Sequence, residues 1–248
     1  MINTYIRPIF NSLGVDVTRY NKYLDDFTES EIRTWNNVSS YTMTSPERIW
    51  TLIEAVKYIV KNDIEGALVE CGVWKGGSAM TMALTLSEMD EDSREIFLYD
   101  TYTGMSAPSD EDVSNLWGKA SDTFCATSTS EDTSDWCLSP LEEVKNNLKK
   151  TSYPQEKIRY IKGKVEDTIP ELIPDKIALL RLDTDWYKST KHELIYLFPK
   201  LSKNGILIID DYGCWEGAKK AVDEYITENN LCLFLGRIDS SARIAVKV

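Results

Sequence analysis

Leu179-Leu180-Arg181-Leu182-Asp183-Thr184-Asp185-Trp186-Tyr187 and Ile206-Leu207-Ile208-Ile209-Asp210-Asp211-Tyr212 decide the reading of this chain. Each is an apolar run of strand type that stops at paired carboxylates. Asp183 and Asp210 stand 27 positions apart, room for one crossover helix between neighbouring parallel strands. Such strands bring four carboxylates to the carboxyl edge of a sheet, where open α/β sheets bind ligands. Four negative charges in a poorly solvated cleft repel strongly and call for a counter-charge. An oxygen-only donor set with no histidine or cysteine beside it suits a hard cation, Mg²⁺ or a relative. Either pair alone could be a turn or a helix cap; both pairs at crossover spacing point to a site.

Working outward from these two strands, the alternation of elements continues in both directions. Ser45, Pro46 and the apolar positions Ile49, Leu52, Ile53, Val56, Ile59 and Val60 predict a capped amphipathic helix over 46–62. Strands are expected at Ala67–Cys71, Glu95–Asp100, Ile158–Ile161, Ile177–Leu182 and Ile206–Ile209. Helices are expected from Ser78 to Ser87, Leu141 to Lys150, over 189–200, and from Ala218 to Glu228. Leu231–Leu235 and Arg243–Val248 read as a terminal antiparallel pair. Strands alternating with helices imply a doubly wound, Rossmann-like α/β sheet, parallel with a C-terminal antiparallel strand. Residues 101–137 form a polar Ser/Thr/Asp-rich insertion, a length expected to be functional or mobile. Its Trp117, Phe124 and Trp136 have two equal readings, stacking on a flat ligand face such as a sugar's or packing the loop down.

The composition narrows the class. A length of 248 residues with 42% apolar and 27% charged residues is that of an ordinary globular protein. A net charge of −12 argues against a nucleic-acid partner. No apolar run reaches the roughly 20 residues of a membrane span, and the first residues lack a signal-peptide layout. Five scattered cysteines without a CxxC fit a reducing, cytoplasmic setting. Cys71 at a strand end reads as a small packing residue, and His192, the only histidine, as a solvated or capping one.

The remaining signals describe a nucleoside site without phosphates. Val69-Glu70-Cys71-Gly72-Val73-Trp74-Lys75-Gly76-Gly77-Ser78 joins a strand to its helix. It offers close backbone approach at Gly72 and free amides near Ser78, but is neither GxGxxG nor GK[ST]. Glu70 would repel a phosphate and welcome an amino-bearing ligand. Asp100, 28 positions after Gly72, ends the next strand and can accept both ribose hydroxyls. Glu166 and Asp167 after the following strand could recognise an adenine amino group. Together these residues describe a site for S-adenosylmethionine, which is positive at sulfur and carries no phosphate.

Over about 200 residues, from position 41 to the end, the chain resembles the macrocin O-methyltransferase (TylF-type) family. The resemblance runs through Tyr41-Thr42-Met43-Thr44-Ser45-Pro46-Glu47-Arg48, the VECGVWKGGS segment, Leu182–Thr190 and Asp210-Asp211-Tyr212-Gly213. It implies a class I methyltransferase fold over 46–248, preceded by an extension and lid over 1–45. It further implies Asp183, Asp210 and Asp211 as metal ligands, Asp185 as general base, and Tyr41-Thr42-Met43 as part of a lid. The implied reaction is Mg²⁺-dependent methylation of a vicinal diol on a sugar or polyol of a natural product or surface glycan. The first 40 residues and the insertion match no antibiotic-pathway member, and the aromatic-rich N-terminal region could meet a second subunit. A nucleotide-binding oxidoreductase and a non-catalytic relative on the same fold are the rival readings. The missing GxGxxG counts against the first, and the retained carboxylates count against the second.

Overall fold

A computed structural model describes residues 26–248. Seven strands form the central sheet: β1 (Ala67–Cys71), β2 (Ile96–Asp100), β3 (Ile158–Lys162), β4 (Ile177–Leu182), β5 (Leu201–Ile209), β6 (Gly236–Arg237) and β7 (Arg243–Val246). Their order across the sheet is β6-β7-β5-β4-β1-β2-β3. The five strands from β3 to β5 pair in parallel, and β7 runs antiparallel to both β5 and β6. The expected doubly wound sheet with an antiparallel C-terminal strand is therefore present.

Helices cover both faces. On one side lie α1 (Glu29–Val38), α2 (Pro46–Lys61), α3 (Gly77–Glu88) and α5 (Leu141–Leu148). Leu68, Leu98, Leu179, Ile206 and Ile208 point to them from the sheet. On the other side α7 (Tyr187–Leu197) and α8 (Glu216–Glu228) pack over Val69, Cys71, Leu180, Leu182, Leu207 and Ile209. Continuous apolar runs such as Ile177–Leu182 are what strands buried on both faces require. α1 opens with a capping box, in which Thr28 accepts from the Glu31 N–H and Glu31 from the Thr28 N–H. Val38 of α1 belongs to the same core as α2 and α3, so no packing break falls at position 45. The proposal of a subunit contact through the first residues lies largely outside the described ones. Among the described residues, no helix is long and apolar enough to cross a membrane.

Two expectations are corrected. The terminal pair is Gly236–Arg237 with Arg243–Val246, and Leu231–Leu235 forms no strand. Leu231, Leu233 and Leu235 alternate because they pack on the α7/α8 side of the core, while Phe234 between them is exposed. The alternation thus reports burial, and backbone pairing begins only beyond it.

The 101–137 insertion, in turn, is a folded element. It carries two small antiparallel ribbons, Val113–Ser114 with Gly118–Lys119 and Ser128–Ser130 with Thr133–Ser134, flanking the helix α4 (Ala120–Thr127). Phe124 is buried, and Trp136 packs in a triad with Trp186 and Trp215 at ring separations of 5.1–6.2 Å. Of the three aromatic residues offered for sugar stacking, only Trp117, 71% exposed on the first ribbon's turn, is open to solvent. Buried Asp112 anchors the insertion: it accepts from the Ser109 N–H and hydroxyl, and from the Tyr187 N–H at 2.7 Å. The last contact satisfies a free amide at the start of α7, whose own preceding residue, Trp186, supplies no side-chain cap.

Asp112→Ala should cost about 1–2 kcal/mol, the usual loss for a helix cap. It should also make the 106–136 segment the first site of proteolytic cleavage, read by melting and limited proteolysis. An unchanged melting midpoint and cleavage pattern would show that the triad alone anchors the insertion.

Candidate active site

The face that carries Leu68, Leu179, Ile206 and Ile208 toward the helices becomes charged at its carboxyl end. Side chains two apart on a strand share a face, so Glu70, Arg181 and Asp210 continue the three apolar rows. Register places Glu70 of β1 beside Arg181 of β4. The Arg181 Nη1 donates to Glu70 Oε1 at 2.6 Å and to Asp183 Oδ2 at 2.7 Å, and its Nη2 to Asp210 Oδ1 at 2.6 Å. A second guanidinium arrives from α2: Arg48 Nη1 bonds the other Asp210 oxygen, and its Nε bonds Asp239 at 2.6 Å. Neither arginine was singled out as functional in the sequence, although an arginine inside the run Ile177–Leu182 was a signal available to find one of them.

The edge is held open by close backbone approaches. The Asp183 N–H bonds the Cys71 carbonyl and the Asp210 N–H the Leu182 carbonyl, extending the ladder past the strand ends. Gly72 has φ +83°, and a Cβ there would lie 1.9 Å from the Asp183 carbonyl oxygen, so no other residue fits without displacing the carboxylate turn. The Gly77 N–H donates to the Tyr41 carbonyl at 2.9 Å, which seats the Tyr41–Thr44 segment on the glycine loop.

These elements enclose a cavity of about 190 Å³ lined by Tyr41–Thr44, Arg48, Glu70, Gly72, Ser78 and Asp100, with Asp183, Asp185, Asp210 and Asp211 opposite. Gly104, Met105 and Cys137, from the two ends of the insertion, complete it. A smaller adjoining cavity shares Gly72, Asp100 and Asp183 and adds Glu166, Thr184 and Ser189. The structure therefore brings together all the predicted site residues except Asp167, which is exposed and lines neither cavity. A larger hollow, about 690 Å³, is an open groove at the opposite, amino edge of the sheet, away from these groups.

Asp100 has a larger structural part than expected. One of its oxygens accepts from the Val73 and Trp74 amides (2.7 and 3.1 Å), the other from the Tyr102 amide (2.6 Å). It therefore organises the glycine loop as well as facing both cavities. Asp185 lies at φ +66°, a left-handed conformation that turns it away from the Arg181 cluster. Its carboxyl lies beside that of Asp211 and near the Trp215 side chain, both of which bear on its protonation. Glu193 lies beneath this turn, fully buried, accepting from the Thr184 hydroxyl at 2.9 Å. Cys71 is buried at its strand end, and His192 Nε2 lies 2.9 Å from the Ile169 carbonyl oxygen, both in the modest structural roles expected of them.

The electrostatics favour added positive charge. Six carboxyl side chains line the main cavity against one lining arginine, with Arg181 behind them. Burial pushes Glu70 up to about 7, with Arg181 opposing the shift. Burial, then the Asp183 charge, pushes Asp185 up to about 7. Asp183 and Asp211 are also raised, first by desolvation. Asp183, Asp210 and Asp211 can each offer an oxygen within 4.8 Å of the others, and Asp211 Oδ2 is buried without a hydrogen-bond partner. A hard divalent cation fits this donor set. At the other end Glu70 Oε2 is likewise buried and unpartnered, an acceptor that suits an ammonium group.

The sequence matches the macrocin-O-methyltransferase (TylF) family over residues 14–245. It is 33% identical over 196 residues to demethyldecarbamoylnovobiocin O-methyltransferase of Streptomyces niveus, covering 79% of this chain and 71% of the relative. It is 30% identical to a Streptomyces olivaceus enzyme, 8-demethyl-8-(2,3-dimethoxy-alpha-L-rhamnosyl)-tetracenomycin-C 4'-O-methyltransferase, covering 78% and 70%. The solved O-methyltransferase NovP superposes with a TM-score of 0.73 at 28% identity, over 92% of each chain.

The acid shifts predict a pH dependence of stability in the protein freed of divalent cations. Glu70 and Asp185 have folded values near 7, above their unfolded values near 4, so the folded state binds more protons between those limits. The melting midpoint should therefore fall as pH rises from about 5 to 8. Because general self-repulsion of an acidic protein acts in the same direction, Asp185→Asn is the control and should shrink the fall. An equal fall in the variant would mean that Asp185 titrates as an ordinary exposed acid.

Proposed function

The chain belongs to the macrocin O-methyltransferase (TylF) family, and from that premise we propose a cation-dependent transfer of a methyl group from S-adenosylmethionine to one hydroxyl of a vicinal diol on a sugar. Membership makes it an S-adenosylmethionine-dependent O-methyltransferase and sets the oxidoreductase reading aside. One observation supports the finer reading: a single cavity is lined by Glu70, one oxygen of which is unpartnered, and by the Asp183, Asp185, Asp210 and Asp211 carboxyls. Two positively charged partners would each find their counter-charge there, within reach of a common acceptor.

S-adenosylmethionine supplies a methyl group already activated on a sulfonium. Glu70 would take its ammonium, the Gly72 loop and the amides around Ser78 its carboxylate end, Asp100 its ribose, and Glu166 in the adjoining cavity its adenine. Asp183, Asp210 and Asp211 would hold Mg²⁺ or a similar ion, which when bound supplies Lewis-acid charge that makes a sugar hydroxyl more acidic. Asp185 is the residue we assign to take the proton. It lies on the cavity beside the acidic trio, and its pKa of about 7 suits a general base at neutral pH. The Trp215 side chain and the Asp211 carboxyl lie beside it. Tyr41, Thr42 and Met43 would close the cavity from the helical side, and Met105 and Cys137 would meet the acceptor. Holding donor and acceptor in line, with water excluded, would supply much of the acceleration.

One relative's name describes 4'-O-methylation of a rhamnosyl-bearing compound. Simple rhamnosides and their singly deoxygenated forms are therefore the first acceptors to assay with S-adenosylmethionine. Transfer should require the hydroxyl next to the methylated one, and EDTA should abolish it while leaving S-adenosylhomocysteine binding largely intact. Full turnover in EDTA would refute cation dependence, and methylation of acceptors lacking the neighbouring hydroxyl would refute the diol.

Asp185→Asn should keep both ligands yet lower kcat by about 10²–10⁴-fold, the range for a lost general base. Asp211→Asn should lose Mg²⁺ affinity, and added Mg²⁺ should restore part of its rate. If excess Mg²⁺ rescued Asp185→Asn instead, Asp185 would be a metal ligand.

A further inference from the structure

Among the described residues, Arg181 is the side chain that hydrogen-bonds both to Glu70 and to the acids Asp183 and Asp210. It is 3% exposed, in the middle strand of three, and its partners come from all three: Glu70 on β1, Asp183 just beyond β4 and Asp210 just beyond β5. Building on the functional reading above, we propose that Arg181 is a positioning residue that couples the cofactor end of the site to its carboxylate end.

The argument is geometric. The Nη1 group is shared between Glu70 and Asp183, so the two carboxylates are oriented by one donor. Holding Glu70 by Oε1 leaves Oε2 as its unpartnered oxygen. Holding Asp183 by Oδ2 and Asp210 by Oδ1, with the other Asp210 oxygen on Arg48, fixes the two acids in the arrangement that keeps an oxygen of each within 4.8 Å of one on Asp211. A planar guanidinium can do this because its donors are fixed relative to one another, which an ammonium's are not. Arg48 shares the neutralisation of Asp210 but touches neither Glu70 nor Asp183. Charge balance alone would be met by any buried cation; three directed bonds to three strands would not.

The test is calorimetry on the full-length chain at pH 8, titrating S-adenosylhomocysteine alone and MgCl₂ alone. The wild type, Arg181→Lys, Glu70→Gln and the double variant are compared, with melting curves to follow folding. Arg181→Lys keeps the charge and should still weaken both ligands, by about tenfold or more, as loss of an outer-shell partner typically does. Glu70→Gln should shift Mg²⁺ affinity several-fold in the wild-type background and much less beside Arg181→Lys, because the link runs through the guanidinium. Unchanged affinities in Arg181→Lys, or an equal Glu70→Gln effect in both backgrounds, would overturn the positioning role while leaving the site reading intact. A wild type that binds neither ligand would overturn the site reading and this proposal with it. Should Arg181→Lys fail to melt cooperatively, Glu70→Gln alone decides: a shifted Mg²⁺ affinity supports the coupling and an unchanged one overturns it.

Discussion

Like charges held a few ångströms apart in a poorly solvated cleft are the constraint on which this structure turns. A pair of carboxylates 4 Å apart repels by about 4 kcal/mol at an effective dielectric constant of 20. The sheet edge gathers six of them around one cavity, and two arginines cannot offset that sum. The residue of negative potential is what the site offers to ligands. It accounts for the absence of a phosphate-cradling loop and for the acid at the strand end before Gly72. In the function proposed above, it would let one cavity serve two unrelated cationic partners, a sulfonium-bearing cofactor and a divalent ion.

How so many acids are placed follows from strand parity. Positions 68 and 70, 179 and 181, and 206, 208 and 210 share one face, apolar beneath the helices and charged where the helices end. The core and the site are thus two ends of the same rows, and the register that buries Leu179 also aims Arg181. Asp185 escapes the rows only because its backbone turns left-handed, which separates it from the arginine that its neighbour Asp183 engages. The proposed base and the proposed metal ligand, two residues apart, would differ in this way without differing in residue type.

Much of this was legible in the sequence. Apolar runs ending in acids located the strands, the crossover spacing located the edge, and the glycine loop located the opposite wall of the cavity. Patterns that report burial were read correctly wherever burial and pairing coincide, and misread at Leu231–Leu235, where they do not. Arg48 and Asp239 were out of reach because they meet across 191 positions, on elements whose approach no local pattern encodes. Arg181 was closer to hand: a charged residue inside an otherwise apolar strand has to be paired, and the carboxylates that pair it had already been identified. The insertion defeated composition for another reason. Its polar residues face water, while three tryptophans distant in sequence, at 136, 186 and 215, fold it onto the turn that carries Asp185.

That tryptophan contact bears on how the site can be both rigid and selective. Trp186 follows Asp185 directly, Trp215 lies near its carboxyl, and Trp136 belongs to the insertion whose ends line the cavity. Offset and edge-on aromatic packing of this kind fixes rings relative to one another more strongly than aliphatic contact does. Asp185 therefore takes its position from side chains rather than from the strand ladder that holds Asp183 and Asp210. The insertion and the proposed base share one packed wall, whereas Glu70, Asp183 and Asp210 share a guanidinium. Two mechanically distinct supports meet where the Asp185 and Asp211 carboxyls lie side by side. Repacking the insertion would act on that meeting point through the tryptophans, while Arg181 acts on it from the opposite side through Asp210, the neighbour of Asp211.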